Sequence, residues 1–498
     1  MEDRFNLVDE PWIPVADVGR VSLRQVFTHP AYRALGGNPV QKIALMKLLL
    51  AIAQAACTPK DEPEWRVLGT EGLAKKCMDY FERQYTRFFL YGETPFLQMP
   101  AISKAALQTY GAVLPEVSTG NTTVLSQVQI ERQLTDADKA LLLVVLMGFA
   151  LGGKKTDNSV VLTPNYHGKT KDNGKPATGK PGPAVAHMGL LHSFLMGENL
   201  WSSLWLNLMT EQQITRSNMY PEGCGTAPWE SMPEGEACQV AQRLKQSLMG
   251  RLVPLSRFCL LAEHGLHYSE GLAHPGYKEG VTDPSVAIDY SGKEPKALWV
   301  NPDKRPWRDL TALLSIFQQQ KAQGFQCVQL NVGLTRASQV GPAFAVWSGG
   351  LRVSSNAGEQ YASGSDDYVE SQVWLQSSML DEFWFAQLHT EMTALDDLAK
   401  ILYGCVMAWF KVQLMDGSKF AAQATHVFWQ LCERDFQTLV DQCDQSEAQS
   451  KQRHKLRMRF AGYVHQAYDH VCPQDTARQL DAWANCRPNL SKYLKQES

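Results

Sequence analysis

From Asp366 to the C-terminus the chain almost gives up the two residues that break helices. Residues 366–498 hold only Gly404, Gly417, Gly462, Pro473 and Pro488, although the whole chain carries 36 glycines and 25 prolines. A long stretch so poor in breakers, with apolar residues at three- and four-residue spacing, has few folds open to it besides packed helices. Leu380, Trp384, Leu388 and Met392 recur every four residues, and Leu395, Leu398, Leu402, Cys405, Val406 and Trp409 continue the spacing in a second segment. Asp416-Gly417-Ser418 predicts a turn before a third helix through Phe428, Leu431 and Leu439. A fourth, over about 446–470, carries Lys451, Arg453, Lys455, Arg457 and Arg459. Four amphipathic helices on short turns predict a four-helix bundle over 366–498.

Residues 1–365 read differently. Phe5-Asn6-Leu7-Val8 and Trp12-Ile13-Pro14-Val15 look like strand starts. Pro39 to Ala56 reads as a helix, with Asn38 as cap and Pro39 at the first helical position. Ser159-Val160-Val161-Leu162-Thr163 reads as a strand, and residues 251–310 as a small β-rich insertion. The expectation is an α+β protein, with a large mixed α/β N-terminal domain (1–365) and the C-terminal four-helix bundle (366–498).

Charge narrows the function. The net charge is −3, and the sequence pI is about 6.5. A protein that binds nucleic acid alone usually carries a basic excess, because phosphate contacts supply much of the affinity. Any nucleic-acid contact here therefore rests on a local patch or is shared with partners. The opening Met-Glu-Asp-Arg-Phe-Asn lacks the character of a secretory signal. The longest apolar run, Ala140 to Leu151, is shorter than the roughly 20 residues of a spanning helix. The 11 cysteines are scattered without a CxxC pair, as for reduced core thiols. Together these predict a cytoplasmic protein without a membrane segment.

The sharpest motif is Gly174-Lys175-Pro176-Ala177-Thr178-Gly179-Lys180, the GxxxxGK of a phosphate-cradling loop. Pro181 stands where that loop needs a Ser or Thr, and it offers neither a hydroxyl for magnesium nor an N–H for phosphate. A nucleotide-using enzyme on 174–180 is the alternative that this motif keeps in view; a helical scaffold that binds only protein is another. Lys154, Lys155, Lys169, Lys171, Lys175 and Lys180 lie among six glycines between Gly152 and Gly182. Lysines supply phosphate charge and glycines permit close approach to a DNA groove, but a solvated loop has the same composition. His264, His267 and His274 cluster in sequence with Cys259, Glu263, Glu270 and Asp283, as a metal site or as solvated loop residues. No HExxH or GxSxG occurs. The basic run Lys451–Arg459 reads as a solvated helix face that could touch nucleic acid. No catalytic residue, metal site or cofactor is expected.

Several short motifs then occur in a telling order. Phe5 to Val15, Pro95-Phe96-Leu97-Gln98, Leu204-Trp205-Leu206-Asn207-Leu208, Pro228-Trp229-Glu230, Gly276-Tyr277-Lys278-Glu279-Gly280 with Asp283-Pro284, Trp307, and Ser348-Gly349-Gly350 follow one another along the chain. In this order the sequence resembles the CasA large subunit of the type I-E CRISPR Cascade surveillance complex. The resemblance implies a non-catalytic subunit that reads the protospacer-adjacent motif of double-stranded target DNA from the minor groove. It also implies that the subunit starts strand separation and helps recruit the helicase-nuclease, while base pairing to the guide reads the remaining sequence. By position, the family's glycine loop corresponds to Gly168, Lys169, Gly179, Lys180 and Gly182, and its lysine finger to Lys278. Its wedge corresponds to Ser355, Asn356 and Ala357, with Asn356 in place of the family's glutamine and Gln360 as the other candidate. Thr119, Asn121, Thr122 and Gln127 fall in the loop implied to contact the guide RNA 5′ handle and the neighbouring backbone subunit. Other implied partners are the remaining backbone and small Cascade subunits.

Overall fold

The computed structural model describes residues 3–114, 133–149, 189–315, 324–356, 359–361, 368–444 and 446–495. The expected strand 159–163 lies outside them. The protein is α+β, and its packing divides it into two compact units: Met1–Trp307 with Ala322–Gln372, and Arg308–Lys321 with Val373–Ser498.

The first unit is built around the helix Pro39–Ala56, which forms where the sequence signals it. The Asn38 side chain accepts from Gln41 N at 2.9 Å, and the Gln41 side chain accepts in return from Asn38 N at 3.0 Å. Apolar nearly all round, the helix buries Ile43, Leu45, Leu49 and Ile52 in the main core. The helix Asp136–Gly148 packs in the same core, opened by a reciprocal Thr135–Asp138 cap. A three-stranded sheet has Ala343–Leu351 at its centre, between Tyr368–Gln376 and the antiparallel His192–Met196. Within 251–310, the antiparallel strands Arg257–Leu261 and Leu266–Glu270 bury Phe258, Cys259 and Leu261 in the main core. That part of the region belongs to the body of the unit rather than to an appended insertion.

The motifs behind the resemblance act mostly as internal brackets. Gln98 is buried and donates to Leu90 O while accepting from Leu261 N, which joins two separate strands. Asn207 donates to Leu195 O and accepts from Leu195 N, fixing the helix Leu200–Asn207 to the central sheet. Trp205 and Trp65 stack with centroids 4.2 Å apart, and each indole donates to the other's backbone carbonyl. Gly349 and Gly350 lie where sheet packing leaves no room. A Cβ on Gly349 would meet the Trp347 ring at 2.8 Å, and one on Gly350 would meet Val300 Cγ2 at 2.6 Å and Leu190 O at 2.9 Å.

The second unit has four helices of ten residues or more among its described residues, partitioned differently from the expectation. The first two expected segments are one continuous helix, Glu382–Val412, because no breaker stands between Met392 and Leu395. Ser418–Asp441 and Glu447–Val471 follow as predicted. The fourth is Ala477–Cys486, which starts beyond Pro473 from a reciprocal Thr476–Gln479 cap. The basic run is only partly a solvated face. Arg457 donates to both Glu391 oxygens, at 3.0 and 2.6 Å, with both side chains buried. Arg453 donates to the carbonyls of Gln442 and Asp444, and Arg459 pairs with Asp435. Arg453 and Arg457 are buried, where a charge requires a partner, whereas Arg459 stays exposed beside Asp435.

Candidate nucleic-acid interface

Lys278 sits at the crown of a tight turn. Residues Tyr277–Glu279 form one turn of 3₁₀ helix, in which Glu279 N donates to Gly276 O and Gly280 N to Tyr277 O. Gly280 closes it at φ +81°, a left-handed conformation that suits glycine. The Glu279 carboxylate accepts from Gly276 N at 2.8 Å. Lys278 is thereby carried outward on a short, well-bonded support.

The support rests on the core in three ways. Tyr277 packs against a small apolar cluster of Leu190, Val286, Ile288 and Ala297. Downstream, the buried Asp283 pairs with Lys47 of the Pro39–Ala56 helix and accepts from Ser285 N and Oγ at 2.9 and 2.6 Å. Burial alone would raise the Asp283 carboxyl, but the Lys47 ammonium, nearby His192 and these hydrogen bonds outweigh it and hold its pKa below the ordinary value. Upstream, His274 is buried and donates from Nε2 to Pro254 O at 2.8 Å; burial lowers its pKa to about 3, so the ring is neutral.

Leu190 connects the other candidate segments to this turn. Beside it, Val300 N donates to Gly189 O at 2.9 Å. Gly350 lies directly against Leu190 O. Four residues beyond Gly350 begins the antiparallel hairpin Ser354–Asn356 with Glu359–Tyr361, in which Ser355 pairs with Gln360 and Asn356 with Glu359. Both wedge candidates, Asn356 and Gln360, therefore stand on this one hairpin. The segment Gly189–Leu190, the lysine turn and the strand leading to the hairpin are thus neighbours around one small cluster that includes Leu190.

The remaining site residues are not brought into view. Gly168, Lys169, Gly179, Lys180 and Gly182 lie outside the described residues, as do Ala357 and Thr119, Asn121, Thr122 and Gln127. The motif 174–180 is outside them too. The sequence cluster of histidines is dispersed: His267 bonds Ala105 O, His274 bonds Pro254 O, and His264 is exposed beside Glu263. Among the described residues no three His, Cys, Asp or Glu side chains come together as metal ligands.

Sequence reasoning missed the neighbours of Lys278. The strands Ile288–Asp289 and Lys296–Ala297 form an antiparallel hairpin with residues 290–295 at its tip. From that tip Tyr290 donates its hydroxyl to Tyr277 O at 3.2 Å, and the Glu294 carboxylate lies 3.6 Å from the Lys278 ammonium. A sixteen-residue separation between Lys278 and Glu294 carries no signal of proximity unless the hairpin is known.

The fold defines a class: a mixed α/β body with a helical C-terminal unit, shared with solved CRISPR-associated chains. It matches the crystal structure of Thermobifida fusca Cse1 with a TM-score of 0.76 at 19% identity, covering 97% of this chain and 96% of that one. It matches a chain of a CRISPR RNA-guided surveillance complex with a TM-score of 0.64 at 16% identity, covering 98% and 99%. In sequence it is 29% identical over 340 residues to the CRISPR-associated protein CasA/Cse1 of Thermus thermophilus, an alignment spanning 63% of this chain and 60% of that protein. The family model of CRISPR-associated protein Cse1 matches residues 6–467, and the chain belongs to that family.

Proposed function

We propose that this chain is the large, non-catalytic subunit of a cytoplasmic type I-E CRISPR Cascade complex, and that it reads the protospacer-adjacent motif of duplex DNA. The observation that carries the reading is that the lysine turn, the segment Gly189–Leu190 and the strand that feeds the Ser354–Tyr361 hairpin are neighbours. Lys278, 60% exposed on a braced turn, offers an ammonium narrow enough for a minor groove, whose acceptor edges suit such a donor. The hairpin beginning at Ser354 is the element that parts the strands after recognition, with residues 168–182 completing the contact. Residues 1–365 serve as the motif-reading domain and 366–498 as the helical one. Thr119, Asn121, Thr122 and Gln127 face the guide RNA 5′ handle and a backbone subunit, and the assembled complex recruits the helicase-nuclease.

Lys278→Ala in the reconstituted complex tests this. Binding to targets bearing the correct motif is expected to weaken by about ten- to a hundredfold, as for loss of one specific groove contact of roughly 1–3 kcal/mol. Unchanged binding and unchanged motif preference would remove Lys278 from the interface.

A further inference from the structure

Lys278 already has an acidic partner within the chain. Its ammonium lies 3.6 Å from the Glu294 carboxylate, and the side chains are 60% and 79% exposed. Glu294 belongs to the tip of the hairpin Ile288–Asp289/Lys296–Ala297, and the same tip holds the lysine turn a second time through the Tyr290 hydroxyl on Tyr277 O. These two contacts differ in kind. The Tyr290 contact grips backbone and is compatible with a lysine pointing in any direction. The Glu294 contact takes the ammonium itself, the group that a groove would need.

We propose that Glu294 is a specificity-determining latch: it occupies the Lys278 ammonium in the free protein and must be displaced by the acceptors of a duplex groove. The inference rests on Lys278 being a DNA contact. An exposed pair at this distance is weak, and a pair that strong acceptors can displace must be weak. A carboxylate at this place also meets approaching phosphates with like charge, which disfavours lingering contacts with duplexes that offer the lysine nothing. Ionic contacts without a groove acceptor are thereby discouraged, while a duplex presenting the right acceptors recovers the lost pairing. The tip thus combines a brace that fixes the turn with a competitor that sets the threshold for engagement.

The test uses the complete reconstituted complex and guide-matched duplexes that differ only in the bases flanking the matched stretch. Glu294→Gln keeps the shape and removes the charge. It is expected to tighten binding about two- to fivefold, the range of one exposed ion pair, and to narrow the gap between preferred and disfavoured flanking bases. In a Lys278→Ala background the same substitution is expected to tighten binding clearly less, since only the like-charge repulsion of phosphates then remains to be relieved. If Lys278→Ala weakens binding but Glu294→Gln leaves it unchanged or weakens it, the latch is wrong and the DNA reading of Lys278 stands. If Glu294→Gln tightens binding equally with and without Lys278, the carboxylate acts only as general surface charge and the latch is overturned. If Lys278→Ala has no effect, the DNA reading falls and takes the latch with it.

Discussion

A single buried charge shows how a distant residue can govern the turn. Asp283 is wholly buried and lies five residues after Lys278, and it is held by Lys47 from the core helix. Replacing it with asparagine would leave the Lys47 ammonium desolvated without its counter-charge. Such a break costs about 3–5 kcal/mol, whereas replacing both members with apolar side chains of similar volume is often nearly neutral. Asp283→Asn is thus expected to lower the stability of the first unit by about that amount in urea unfolding, and Lys47→Met with Asp283→Leu by much less. A smaller loss from the single change than from the double would show that the pair contributes through packing alone. The pH dependence has a definite sign. Because the folded carboxyl has a lowered pKa, its contribution is fully present above the ordinary value of about 4, and it is lost as pH falls through the folded value. This role was hidden in the sequence. Lys47 stands among apolar residues of a helix that was otherwise fully legible, and its partner is 236 positions away.

At the scale of elements, the Gly349-Gly350 pair couples the central strand to the candidate interface. A methyl group on Gly350 would collide with Val300 Cγ2 and with the carbonyl of Leu190, the residue around which the candidate segments meet. Gly350→Ala is expected to cost about 1–3 kcal/mol, the usual range for overpacking, and to lower the thermal midpoint. The backbone at Gly350 has no positive φ, so strain of that kind does not confuse the measurement. Elements were legible where local chemistry alone decides them. Asn38 and Pro39 announce a helix start, and the structure begins the helix there. Partition of the C-terminal helices was less legible, because periodicity reports which residues share a face and not where a helix pauses. Leu380–Met392 and Leu395–Trp409 therefore looked like two helices, while Ala477–Cys486, short and carrying Leu480, Ala482 and Trp483 among polar residues, went unseen. The basic run misled in part for a related reason: Arg457 looks solvated until Glu391 arrives from another helix, while Lys451, Lys455 and Arg459 are exposed as expected. In the candidate site, the resemblance singles out Lys278 through its Gly-Tyr-Lys-Glu-Gly setting, but the nearness of Glu294 and Tyr290 follows only from hairpin pairing.

Across the whole molecule, charge sets a limit on what the chain can do alone. A net charge of −3 supplies no long-range attraction to a polyanion. Several of its cations are also committed internally: Arg457 to Glu391, Arg336 to Glu62, Lys47 to Asp283. Each phosphate contact steepens the salt dependence of binding by nearly one unit in log–log slope. On the proposed function, Lys278 and the lysines of 152–182 would furnish only a few such contacts, and the rest of the affinity would come from the other subunits and from pairing to the guide. The isolated chain is therefore expected to bind duplex DNA weakly, to lose that binding as salt rises from about 50 to 200 mM, and to show little preference among flanking bases. Incorporation into the complex is expected to restore tight, motif-dependent binding with Lys278 contributing to it. Gel-shift titration of the lone chain and the assembled complex at matched salt separates the two. Tight, sequence-selective binding by the chain alone would mean that residues 1–365 form a self-sufficient reader, and that the acidic balance of the molecule is offset by a local field much stronger than a single braced lysine provides.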